Sequence, residues 1–171
     1  MYQKVLCLDP DDFDGHYNLA SILTRKERHG EAQEHYKKVL ELQPSDAYQV
    51  LNCYGYSYFL QGEFVKARTE LEKSIYLNGK YLDAYCNMSL VLFCEGKSED
   101  AVKYFEDGMK ILDKEQNTME SIQALMKGYI DEKGRLEMKL DKNEEIMDKG
   151  KIKVLRAMIH GFKKILNLLK L

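Results

Sequence analysis

The feature that most constrains the fold of this chain is a period. Pro10, Pro44, Gly79 and Asp113 fall at intervals of 34, 35 and 34 residues, each two positions after an apolar side chain. Intervals of 35 and 34 also separate Ala20, Gly55 and Ser89, and again Ala32, Ala67 and Ala101. A unit of this length is one supersecondary element used repeatedly. It buries its apolar face only by stacking on its neighbours.

Two small residues per period define that element as a pair of antiparallel helices. Helices that cross at ~8–10 Å must carry small side chains at the crossing, or their axes are pushed apart. The spacing therefore predicts that Ala20 faces Ala32, Gly55 faces Ala67 and Ser89 faces Ala101. Larger residues fill the space around each crossing: Leu19, Leu23 and Tyr36, then Tyr54, Tyr58 and Leu71, then Met88, Leu92 and Phe105. Gly62 and Gly96 stand where a helix ends in a left-handed residue, and Ser98 with Glu99 and Asp100 reads as a capped helix start. The first hairpin departs from this, with Glu27 in the glycine slot and Gly30 three residues later.

Gly55, Tyr58, Gly62, Phe64, Ala67 and Leu77, together with Leu19, Ala20, Ala32, Tyr36 and Pro44, resemble the tetratricopeptide repeat in type and spacing. The resemblance implies an all-α fold, a right-handed superhelical stack of antiparallel helix hairpins followed by C-terminal amphipathic helices. It divides the chain into an array over 1–115, a charged helical extension over 116–150 and a basic amphipathic helix over 151–171. Within the array it places a half-repeat at 1–12 and full repeats at about 13–46, 48–81 and 82–115. Tyr2, Val5, Leu8 and Pro10 match the second half of the pattern, so the sequence starts in mid-repeat. Either it is a piece of a longer array, or the half-repeat serves as an end cap.

By the same resemblance, the first helix of each repeat lines a concave groove that holds a peptide or helix of a partner protein. That assigns Tyr17, Asn18, Ser21 and Arg25 to the groove from repeat one and Asn52, Tyr56, Phe59 and Leu60 from repeat two. Repeat three supplies Asn87, Leu90 and Phe93. Asn18, Asn52 and Asn87 are candidates to bond a peptide backbone, or are simply solvated. Phe59, Leu90 and Phe93 read as an apolar patch awaiting cover, from a partner or from neighbouring helices. The family's chaperone-binding clamp grips a C-terminal carboxylate with cations and asparagine. Its positions here hold Tyr17, Ser21, Cys53, Asp83 and Asn87, with an acid where the clamp has a lysine, so that role is not expected.

Charge narrows the partners. The net charge of −2 divides into 14 Lys/Arg against 20 Asp/Glu over 1–115, 6 against 8 over 116–150, and 6 against none over 151–171. Residues 1–150 lack the cation cluster that a nucleic-acid surface needs. In the tail, Ile152, Leu155, Ile159, Phe162, Leu166 and Leu169 form an apolar stripe flanked by Lys153, Arg156, His160, Lys163, Asn167 and Lys170. Such a helix caps the array, lies on an anionic membrane surface, or is taken by a groove-bearing partner such as calmodulin.

Chemistry finds no foothold in the sequence. His16, His29, His35 and His160 are scattered, Glu31 and His35 read as a solvated surface pair, and phosphate-loop, GxSxG and HExxH patterns are absent. No enzyme activity, cofactor, metal or small-molecule ligand is expected. Catalysis would enter only if these repeats positioned substrates within a larger enzyme. Cys7, Cys53, Cys86 and Cys94 form no CxxC pair, and no stretch reaches the ~18 apolar residues of a membrane span. Both point to a reduced, cytoplasmic protein.

Overall fold

A computed structural model describes residues 2–42, 45–112, 131–135, 137–139, 156 and 163. Over the described residues up to 112 the helices are, in order, α1 (Tyr2–Leu8), α2 (Phe13–Arg25), α3 (His29–Glu41), α4 (Ala47–Leu60), α5 (Phe64–Leu77), α6 (Leu82–Cys94) and α7 (Ser98–Leu112). No strand occurs among the described residues. The chain divides into two compact units, Met1–Ala84 and Tyr85–Leu171. The charged extension expected over 116–150 and the basic amphipathic helix expected over 151–171 fall mostly outside the described residues. At their described positions, Lys163 makes an ion pair with Glu137 at 3.5 Å.

In the first unit α2 packs on α3 and α4 on α5, while α3 packs on α4 and α1 on α2. The small residues make these approaches close. Ala20, Ala32 and Ala67 have no exposed surface. At Gly55 the absent side chain is what admits α5, because a Cβ there would sit 2.9 Å from Leu71 Cγ and 3.0 Å from the Ala67 carbonyl oxygen. Around the first crossing Leu19, Leu23, Tyr36, Val39, Val50 and Tyr54 close one core, against which Tyr2 and Leu6 of α1 also pack. Each such large side chain contributes about 1.5–3 kcal/mol by leaving water. In the second unit the small position carries a hydroxyl. Ser89 Oγ donates to the Ala101 carbonyl across the α6–α7 crossing at 2.7 Å, which satisfies a polar group that has no access to solvent.

The three turns inside the hairpins are alike. Arg28 N donates to Leu23 O at 2.9 Å, Glu63 N to Tyr58 O at 3.0 Å and Lys97 N to Leu92 O at 2.9 Å. Each closure requires a left-handed residue just before the donor, and those residues are Glu27 at φ 60°, Gly62 at 77° and Gly96 at 80°. Glu27 thus takes up the glycine conformation in spite of its side chain, and Gly30 is an ordinary residue of α3. The helix starts are less uniform. Asp12 caps α2 by accepting a hydrogen bond from the Gly15 amide. Ser98, expected as a cap, is instead the first residue of α7, with Glu99 and Asp100 in the first turn where carboxylates favour the helix dipole.

Candidate functional site: the face of the first helices

In the first unit, α2 and α4 approach one another side by side. Tyr17 Oη and Cys53 Sγ meet across them at 3.5 Å. Burial raises the Cys53 thiol, so Cys53 stays protonated and unreactive, and burial likewise raises the Tyr17 phenol. Tyr17 also stacks on Phe13, ring centres 6.2 Å apart. The accessible part of this face consists of Tyr17, Asn18 and Ser21, each partly exposed, and Arg25, which is exposed, on α2. Tyr56 and Leu60 follow on α4, both partly exposed.

Four of the expected groove residues are placed differently. Phe59 is 1% exposed, Leu90 0% and Phe93 6%. The apolar patch expected to await a partner is therefore covered by the folded chain itself. Phe59 packs between Tyr56 at 5.7 Å and Phe64 at 6.0 Å, and the residue just after the turn thereby locks α4 to the start of α5. Asn52 is buried as well, at 5% exposure, so its amide is withheld from a surface peptide. Asn18 commits its Nδ2 to the Asp14 carbonyl one turn back on its own helix at 2.8 Å, which leaves its oxygen as the free acceptor. In the second unit Asn87 remains partly exposed.

A feature without any signal in the one-dimensional spacing is a histidine pair. His16 Nδ1 and His35 Nδ1 lie 2.8 Å apart across the α2–α3 hairpin. His16 Nε2 is 2.9 Å from the Pro10 carbonyl, which can only accept, so Nε2 carries a proton. The bare Nδ1 of neutral His16 then accepts, and His35 donates from Nδ1. The expected Glu31–His35 surface pairing gives way to this arrangement, since Glu31 instead takes Arg28 in two bonds of 2.6 Å. Among the described residues no three of His, Cys, Asp and Glu gather as a metal-binding set. No helix among them is long and apolar enough to cross a membrane.

A face built from the first helices of stacked hairpins defines a helical-repeat protein. Residues 13–46 match the family model of the tetratricopeptide repeat. The chain carries a tetratricopeptide repeat there and has the tetratricopeptide solenoid fold. Solved structures that share the fold include three of MamA. A crystal structure of MamA is 21% identical, with a TM-score of 0.59 over 99% of this chain and 88% of the other. MamA from residue 41 to the end, from Desulfovibrio magneticus RS-1, is 17% identical with a TM-score of 0.62, covering 68% of this chain and 65% of that one. A further crystal structure of MamA protein is 23% identical with a TM-score of 0.60, covering 69% and 64%. None of the curated proteins matches the chain in sequence.

Proposed function

We propose that the protein is a cytoplasmic adaptor that holds a peptide or helix of a partner protein against the face formed by α2 and α4. The observation that carries this reading is the strip of accessible, chemically mixed side chains along those two helices. Tyr17, Asn18, Ser21 and Arg25 offer hydrogen bonds and charge, and Tyr56 and Leu60 offer apolar area. Beneath the strip, Phe59, Val50 and Tyr54 are buried and hold it rigid, so a ligand would not pay to order it. The cysteines Cys7, Cys53, Cys86 and Cys94 are free, the form that thiols keep in the cytoplasm.

Selection of random displayed peptides on the immobilised full chain tests the reading. Selected peptides should bind the wild type and lose at least ~10-fold affinity to the Asn18→Ala, Leu60→Ala double variant, whose helical circular dichroism should be unchanged. Peptides that bind both proteins equally would move the binding surface off these helices.

A further inference from the structure

Where the first unit ends, at the start of α6, a carboxylate is set among phenols. Asp83, exposed in the first turn of α6, accepts a hydrogen bond from Tyr81 Oη at 3.2 Å. The Tyr81 ring is held edge-to-face by Tyr48 at 4.9 Å, and Tyr48 Oη in turn accepts from Gln49 Nε2 at 3.2 Å. Asp83 reaches further electrostatically. Beyond the effect of burial, its charge helps keep Tyr17, Cys53 and Tyr81 protonated. By contact, the carboxylate of Asp83 and the phenol of Tyr81 form one pair backed by the Tyr48 ring, and Tyr17 and Cys53 form another between α2 and α4.

No described ion pair involves Asp83. Arg25, the cation on α2, acts electrostatically on Cys53 and Tyr36. An exposed carboxylate beside aromatic rings attracts a cation in two ways, by direct charge and through the negative ring faces. It repels the terminal carboxylate that the family's clamp accepts. The same surroundings offer phenol oxygens as further acceptors for ammonium or guanidinium donors.

We propose that Asp83, with Tyr81, forms a subsite for a lysine or arginine side chain of the bound protein segment. This deepens the peptide-binding reading above and rests on it. The partner segment is then basic where it meets the start of α6, and an acidic segment is turned away.

Peptide selection on the full-length wild type, Asp83→Asn and Asp83→Lys proteins tests the subsite, with circular dichroism confirming that each variant is folded. Wild-type selections should be enriched in Lys and Arg. Asp83→Asn should lose that enrichment and bind the wild-type peptides roughly tenfold more weakly, the sum of one exposed ion pair and one cation–π contact. Asp83→Lys should turn the preference towards Asp and Glu. Wild-type selections without basic enrichment, or the same preference in all three proteins, would overturn the subsite and leave the binding face standing. Failure of the folded wild type to select any peptide would remove the binding face, and the subsite with it.

Discussion

Replacing Gly55 by alanine probes the crossing on which the second hairpin depends. The new methyl would stand 2.9 Å from Leu71 Cγ, 3.0 Å from the Ala67 carbonyl oxygen and 3.3 Å from Leu71 Cδ2. Leu71 is fully buried and cannot swing outward, and a backbone carbonyl moves only if α5 moves. Overpacking of this kind costs about 1–3 kcal/mol. Against it, alanine in a helix interior is favoured over glycine by about 1 kcal/mol. The net expectation is a loss of up to about 2 kcal/mol, a fall of up to roughly 8 °C in melting temperature for a chain of this size, and of about 1–3 kcal/mol relative to a glycine where the added methyl is unopposed. Gly30→Ala is the matched control, because a Cβ there meets nothing within 4 Å, so the helix preference acts alone and the variant should be slightly stabilised. Thermal unfolding followed by circular dichroism at 222 nm reads both. A Gly55→Ala protein as stable as Gly30→Ala would refute the claim that this glycine sets the helix separation.

Three other variants address different levels of the structure. Glu27→Gly should stabilise the chain by about 0.5–1 kcal/mol, as relief of a left-handed non-glycine residue outweighs the greater freedom of glycine in the unfolded chain, and a lower melting temperature would contradict the turn geometry. Phe59→Ala should cost about 3–5 kcal/mol in urea unfolding, because it empties a buried site, and a cost below about 1 kcal/mol would return Phe59 to the surface. The histidine pair predicts acid sensitivity. Burial, then the neighbouring His16, lowers His35 below its ordinary 6.5, while Glu31 and Glu34 pull the other way, and Asp11, ion-paired to Lys38 at 2.8 Å, also feels His16. The unfolded chain then binds more protons than the folded one, so this stability is complete above about pH 6.5 and drains away as pH falls towards the folded value. The reason is geometric, since a second proton would set two N–H groups face to face. His35→Gln should flatten the pH dependence of the melting temperature, and an unchanged slope would remove the pair from the explanation.

The hairpins were legible because small residues recur at fixed spacing, and closeness of helices has few other solutions. Ala20 with Ala32 and Gly55 with Ala67 announce their crossings before any coordinate is known. The Glu27 turn was half-legible: the slot was visible, but only the Leu23–Arg28 closure reveals that glutamate accepts φ 60°. Groove residues were harder to read, since position on a first helix does not say how far the next helix covers it. Phe59 illustrates this, having been assigned by register to the surface and then buried by the aromatic rings on either side of the turn. His16 and His35 are 19 residues apart and belong to different helices, so their contact is set by the hairpin's three-dimensional register and leaves no local mark.

Hydroxyl-radical footprinting of the full chain with and without a selected peptide tests the central claim most directly, because it reads individual side chains on opposite surfaces in one experiment. Tyr17, Tyr56 and Leu60 should lose oxidation in the complex. Tyr76 at 89% exposure, Val65 at 64% and Leu77 at 54% should keep it. Tyr76 and Leu77 line a separate cleft with Leu51, Glu72 and Lys73. Protection confined to that cleft, with Tyr17, Tyr56 and Leu60 oxidised as before, would contradict binding on the face of α2 and α4.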